Sequence, residues 1–192
     1  TRLFYLRENM TRLEAVNRIL VSMGELPVDD LEQPLTEVEL ALTHIDMANK
    51  EVQLDGWYFN TEKAVLKPDK KGYIYTPYDA VRVLDLPPHI TAIHNRLYDD
   101  INQTFLFKKD IECRVVKTAE FENLPMSFAL WVTLRAAKKY QNNTLTSAFL
   151  AENLQREETE AMLAAKREHR QIVRPNVKGT TAGYHIQKVL RR

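Results

Sequence analysis

The sequence predicts an α+β protein: a four-helix bundle of two N-terminal and two C-terminal helices, an inserted small antiparallel β domain, and an extended C-terminal tail. Three observations carry this prediction. Apolar residues recur at helical spacing up to Gly56 and then stop doing so. Short β-prone runs separated by turn residues fill residues 57–119. Helical periodicity returns at Leu124 and persists to Ile172. The predicted domains are residues 1–56 and 120–175 for a discontinuous helical domain, 57–119 for the β-rich domain, and 176–192 for the tail.

The first helix is expected to start at Thr11, because Thr11-Arg12-Leu13-Glu14 fits a capping box, with Thr bonding forward and Glu bonding back. Leu13, Val16, Leu20 and Met23 form its apolar stripe, and Gly24 supplies a left-handed stop. A loop with Pro27 and Pro34 follows. Thr36-Glu37-Val38-Glu39 reads as a second capping box. Val38, Ala41, Leu42, Ile45, Ala48, Asn49 and Val52 mark the inner face of the second helix, which Gly56 ends.

From Trp57 the period changes. The β-prone runs are 57–60, 64–66, 73–75, 82–84, 90–93, 96–98, 104–107 and 111–116. Pro68 to Gly72, Pro87-Pro88, Asp99-Asp100 and Lys109-Asp110 separate several of them as turns. Helix resumes at Leu124-Pro125, where proline's missing N–H does no harm in the first turn. Residues 128–134 (FALWVTL) are apolar on nearly all sides and predict the most buried helix. The pattern turns polar at Lys138-Lys139 and breaks near Asn142-Asn143. A last helix is expected from about Thr146 to Ile172, with Leu150, Leu154, Ala161, Ala165 and Ile172 as a narrow stripe. Its missing steps are polar: Glu157 or Glu158, and Glu168.

Composition bounds the function. The chain has 192 residues, 44% hydrophobic and 28% charged, which suits one compact domain or one with a second inserted. No stretch approaches the ~20 apolar residues of a membrane span, and the first dozen residues do not read as a signal peptide. Cys113 is the single cysteine, so no internal disulfide forms, which fits folding in a reducing cytoplasm. The net charge of +1 hides an asymmetry. Residues 166–192 hold eight Lys or Arg against one acid, Glu168, a segment charge of +7 that leaves −6 on the rest. A basic end on an acidic body suggests an acidic partner.

No catalytic, cofactor-binding or metal site emerges. Five glycines form no phosphate loop, and five scattered histidines with one cysteine make a zinc or thiolate site improbable. His89 and His94 read as exposed strand ends, His44 as a partly buried polar residue, and Cys113 as a strand core residue. Glu120 and Glu122 form a close acidic pair before the third helix. A glycosidase would need two carboxylates at a defined separation in a cleft, whereas acids ahead of a helix are favoured by its dipole. Trp57, Tyr58, Phe59, Tyr73, Tyr75 and Tyr78 could stack on bases or sugars, but core and interface packing is the simpler reading.

The stretch AVNRILVSMGELPV carries Ala15, Val16, Asn17, Ile19, Leu20, Ser22, Gly24, Glu25, Pro27 and Val28. GWYFN carries Gly56, Trp57, Phe59 and Asn60. Together these resemble the tail tubular protein A family of short-tailed phages. Phe121-Glu122-Asn123-Leu124-Pro125, leading into an aromatic-rich helix, is similar to the family too, as is the acid-rich last helix. The resemblance covers residues from about 11 to 170, with its strong motifs in the first 60. It implies a virion tail protein assembled in the host cytoplasm. Such proteins form a dodecameric ring that joins the portal protein to the tubular nozzle (tail tubular protein B type) and helps retain, then pass, the packaged DNA. The C-terminal segment would reach the portal, and the β domain would face nozzle and tail fibres.

The residues meet that picture twice. Tyr184, Ile186, Lys188, Val189, Leu190, Arg191 and Arg192 follow two glycines and could add a strand to a portal sheet. Glu152, Glu157, Glu160, Lys166 and Arg167 on the last helix could pair between ring neighbours. The rival readings are a nucleic-acid-binding module using the basic tail and a tail-associated glycan or cell-wall hydrolase using Glu120 and Glu122.

Overall fold

The computed structural model describes residues 9–32, 35–144 and 148–173. The predicted tail at 176–192, with every residue expected to touch the portal, lies outside the described residues, as do the first residues of the last predicted helix.

The class is α+β. Helix α1 spans Arg12–Ser22, α2 Thr36–Gln53, α3 Met126–Thr144 and α4 Ala148–Ile172; five strands and one short 3₁₀ turn lie between α2 and α3. The Thr11 capping box forms in full: the Thr11 hydroxyl accepts from the Glu14 N–H, and the Glu14 carboxylate accepts from the Thr11 N–H at 2.7 Å. At the other end Gly24, at φ +81°, closes a Schellman motif. Its N–H donates to Val21 O and the Glu25 N–H donates to Leu20 O, both at 3.0 Å. The second capping box does not form. Thr36 is the first residue inside α2, and Leu35 occupies the cap position with no side-chain bond. The β-branched threonine is accommodated within the helix, and the Leu35 carbonyl accepts from the N–H groups of Val38 and Glu39.

Strands β1 (Thr61–Leu66), β5 (Ile111–Lys117) and β2 (Ala80–Leu84) form an antiparallel sheet with β5 in the centre. Strands β3 (Ile90–Ile93) and β4 (Arg96–Asp99) form a hairpin. Residues 73–75 and 104–106 contribute single bridges rather than the strands expected of them. Residues 57–60 are a turn, not a strand. Gly56, at φ +77°, swings the chain back, and the Trp57 carbonyl accepts from the Asn60 N–H at 3.2 Å. The aromatic run therefore reflects packing on helices rather than β structure.

Two apolar clusters result. The larger joins all four helices with Val28, Trp57 and Phe121. Helix α3 is its hub, packing against α1, α2 and α4, while α1 also packs on α2. As the periodicity predicts, residues 128–134 of α3 are buried almost throughout. The smaller cluster gathers Leu66, Ile74, Ile90, Leu97, Cys113 and Val115, so Cys113 is a strand core residue as expected. Alternation along β5 turns Cys113 and Val115 into this cluster. It turns the fully buried Val116 toward Gly56, where an added Cβ would lie 3.0 Å from Val116 and Leu84. That close approach requires glycine and seats the sheet against the end of α2.

Candidate interaction surfaces

The sequence motifs hold the two regions together. Asn17 on α1 clamps the loop that follows: its amide donates to Val28 O at 2.9 Å and accepts from the Val28 N–H at 2.8 Å. Asn60 does the same at the joint between regions. Its carbonyl accepts from the Trp57 N–H at 2.7 Å, and its amide donates to Gln53 O and Lys117 O, each at 3.0 Å. Buried Gln53 extends the joint, donating to Asn49 Oδ1 and Ala119 O and accepting from the Ala119 N–H. The incoming and outgoing crossings of the β region are thus stitched to the last two turns of α2. These polar groups are buried and mutually satisfied, so they fix geometry at little net cost.

The end of α4 reaches the same joint. His169 Nδ1 accepts from the Tyr58 N–H at 3.2 Å, and Glu168 accepts from the hydroxyls of Tyr58 and Ser127. Trp57 packs between Phe128, Trp131 and His169 at ring-centroid distances of 5.0, 5.7 and 5.2 Å. Burial, then the nearby Arg114 charge, holds the His169 imidazole below its ordinary pKa. The chain pattern gave no sign of this clasp, because its partners are over 100 residues apart.

The residues expected to serve as one surface are dispersed. Of the aromatics, Trp57, Tyr58 and Phe59 pack on the helical core. Tyr73 and Tyr75 lie beside Arg96 in the β region, and Tyr78 stands free in solvent. They form no single stacking platform. Glu120 and Glu122 both reach Arg12, at 3.7 and 3.1 Å, which makes them ion-pair partners of α1. His94 is exposed, His89 is half-buried, and His44 is buried more fully than expected, beside Tyr140. Burial and the charge of Lys139 lower the His44 pKa. Among the described residues, no three His, Cys, Asp or Glu are grouped to hold a metal, and no helix is long and apolar enough to cross a membrane.

Helix α4 resolves one alternative. Of the two candidates for the polar step, Glu158 is the inward one, buried and bonded to Arg135 at 2.9 Å and Lys138 at 2.6 Å on α3. Burial alone would raise its pKa, but the bonds from Lys138 and Arg135 outweigh burial and lower it. The gap in the apolar stripe between Leu154 and Ala161 was the available signal: an inward position filled by an acid needs buried cations. Ile172, placed on the stripe, is instead exposed.

The five α4 residues expected at a ring interface divide. Glu157 turns toward α1, 4.0 Å from Arg18, beside a groove of about 350 Å³ that Leu134, Leu150 and Leu154 also line. Lys166 lies over the Trp131 ring at 6.0 Å. Glu152, Glu160 and Arg167 face solvent, and among the described residues none of the three has an ion-pair partner.

The tail tubular protein family model matches residues 13–175, which takes in all four helices and the β region. Tail tubular protein A of Klebsiella phage KP34 is 25% identical over 137 residues, covering 70% of this chain and 74% of that protein. A clamped loop, a glycine-dependent joint and a buried polar seam are features of a scaffold, and the family match agrees: the chain belongs to the tail tubular protein family and is a structural protein of a phage tail.

Proposed function

We propose that the protein is the subunit of an adaptor ring that joins the portal to the tail nozzle and helps retain, then pass, the packaged DNA. The family match over residues 13–175 carries this reading, and the way the matched motifs serve the fold supports it. In this reading the helices form a four-helix bundle from residues 1–56 and 120–175, and bundles stand side by side in a ring of twelve, the number the family resemblance implies. Residues 57–119 form the β domain that meets the nozzle. That region exposes Val65, Tyr75, Tyr78, Val81, Ile93, Ile101 and Leu106, more large apolar side chains than its own cluster buries, which suits a docking role. DNA passes through the channel without sequence-specific contacts, and the structural role argues against an enzyme.

The portal contact is assigned to the tail at 176–192, through Tyr184, Ile186, Lys188, Val189 and Leu190 as an added strand, with Arg191 and Arg192 meeting acidic surface. The test is electron microscopy of the full chain mixed with its portal, beside a variant lacking 176–192. A coaxial ring for the full chain, lost in a folded truncated variant, is expected. Unchanged portal binding by the truncated variant overturns the assignment of the tail, and the absence of any ring with the full chain overturns the adaptor reading.

A further inference from the structure

We propose that neighbouring subunits meet through α2 of one copy and α4 of the next, packed side by side and running in the same direction. This rests on the adaptor-ring reading and specifies its interface. Within one subunit α3 lies between α2 and α4, which share no comparable contact with each other. Arg135 on α3 shows the order, reaching Glu158 of α4 at 2.9 Å and Glu51 of α2 at 4.0 Å. Both outer helices end at the same joint, α2 through Gln53 and α4 through Glu168 and His169. They therefore run the same way. Rotation about a ring axis parallel to them brings the free face of one α2 to the free face of the next α4 without reversing either, giving a heterologous contact that can close.

The two faces match in spacing, in one apolar side chain each and in charge at one end. On α2, Glu39, Thr43, Met47 and Lys50 are exposed at steps of 4, 4 and 3. On α4, Glu152, Arg156, Glu160, Leu163 and Arg167 are exposed at steps of 4, 4, 3 and 4. Both are single ridges of the kind that interdigitate between helices. Each carries one large apolar side chain, Met47 and Leu163, each 48% exposed. With Met47 set against Leu163, a rise of ~1.5 Å per residue brings Glu39 to within about 2 Å of Arg156 along the axis. Lys50 then lies ~1.5 Å from Arg167 and ~9 Å from Glu160 along the axis, so the charge match sits at the Glu39 end of the contact and the Lys50 end sets two cations side by side. Among the described residues Glu39, Lys50, Glu160 and Arg167 have no ion-pair partner, and Arg156 bonds only the Asn153 amide. Asp46 and Glu51, by contrast, are held by Arg12 and Lys139 within the subunit.

Two experiments on the full chain, alone and with portal, test the interface. The first is the double variant Met47→Cys/Leu163→Cys under mild oxidation; the native Cys113 is buried in the β region. A ladder of covalent multimers extending to the ring is expected, with no ladder from either single variant. The second is charge reversal: Glu39→Arg or Arg156→Glu alone should raise the concentration needed for ring assembly about fivefold, and the two together should restore it to within about twofold. All these positions are exposed, and unchanged thermal melting will show that each variant folds. Rings without a ladder and without rescue overturn this interface and leave the adaptor reading standing. No ring from the unmodified chain, even with portal, overturns both.

Discussion

The helical and β regions are built on different principles. Among the described residues, twenty-four buried apolar side chains make one continuous core through the helices, whereas six make the core of the β region. The helical region has aromatic depth, with Trp57, Phe128 and Trp131 in mutual contact. The β region has breadth instead: five short strands, three isolated bridges and a fringe of exposed aliphatic and tyrosine side chains. A small cluster with wet edges supplies little stability of its own. The difference teaches that the β region depends on its attachment to the helices, through Gly56, Asn60 and Val116.

The sharpest way to break that comparison is to cut a hole in each of the two cores. Trp57→Ala removes the ring packed on Phe128, Trp131 and His169 and leaves Val52 O without its 2.6 Å bond from the indole N–H. We expect a loss of about 3–5 kcal/mol. Leu97→Ala, in the β cluster, should cost about 2 kcal/mol, at the low end for such a truncation, because the thin cluster can relax and water can reach it. Urea titration followed by far-UV circular dichroism measures both. An equal or larger cost for Leu97→Ala means the β region has a core of its own weight.

The next test concerns the seam. Asn60→Ala leaves the Trp57 N–H and the carbonyls of Gln53 and Lys117 without their amide partner. A loss of about 2–3 kcal/mol is expected, and the manner of loss matters more than its size. Hydrogen exchange should show β1, β5 and β2 opening at a lower free energy than α3, where in the unmodified chain they open closer together. If the two regions keep the same relative protection in the variant, the seam does not couple them.

Much of this architecture was legible in the sequence, and the failures are instructive. The Thr11 box and the Gly24 stop were readable because each depends on neighbours within a turn. The inner face of α2 and the buried middle of α3 were readable because periodicity reports one-sided burial. Thr36 misled because a capping-box pattern also fits residues already inside a helix. Residues 57–60 misled because aromatic residues favour strands on average, while here Gly56 and the Asn60 side chain impose a turn and α3 supplies the packing. Of the surfaces, the pattern reported polarity and only part of the direction: the stripe left Glu157 and Glu158 as alternatives for the inward step, and packing against Arg135 selects Glu158. The clasp of Tyr58 with Glu168 and His169 was invisible, because nothing local requires it.

That clasp offers the smallest expected effect and the most selective one. His169 Nδ1 can accept from the Tyr58 N–H only while it is unprotonated. Burial first, and the Arg114 charge second, hold the folded pKa below the ordinary 6.5. Above pH 6.5 the imidazole is neutral in both folded and unfolded chains, and its contribution to stability is complete. As pH falls below 6.5 the unfolded chain takes up a proton that the folded chain resists, so stability declines until the folded pKa is reached. The groups facing the ring oppose and favour this in turn: Arg114 repels the added charge, while the neighbouring Glu168 carboxylate, engaged by Tyr58 and Ser127, would attract it. His44, whose pKa is also lowered, titrates in the same direction in both proteins, so the comparison must be with His169→Gln. Between pH 7.5 and 5.5 the thermal midpoint of the unmodified chain should fall more than that of the variant, and the Tyr58 amide should exchange faster at the lower pH after correction for intrinsic rates. Parallel pH profiles would remove His169 from the joint and leave the attachment of α4 to Trp57 packing and Glu168 alone.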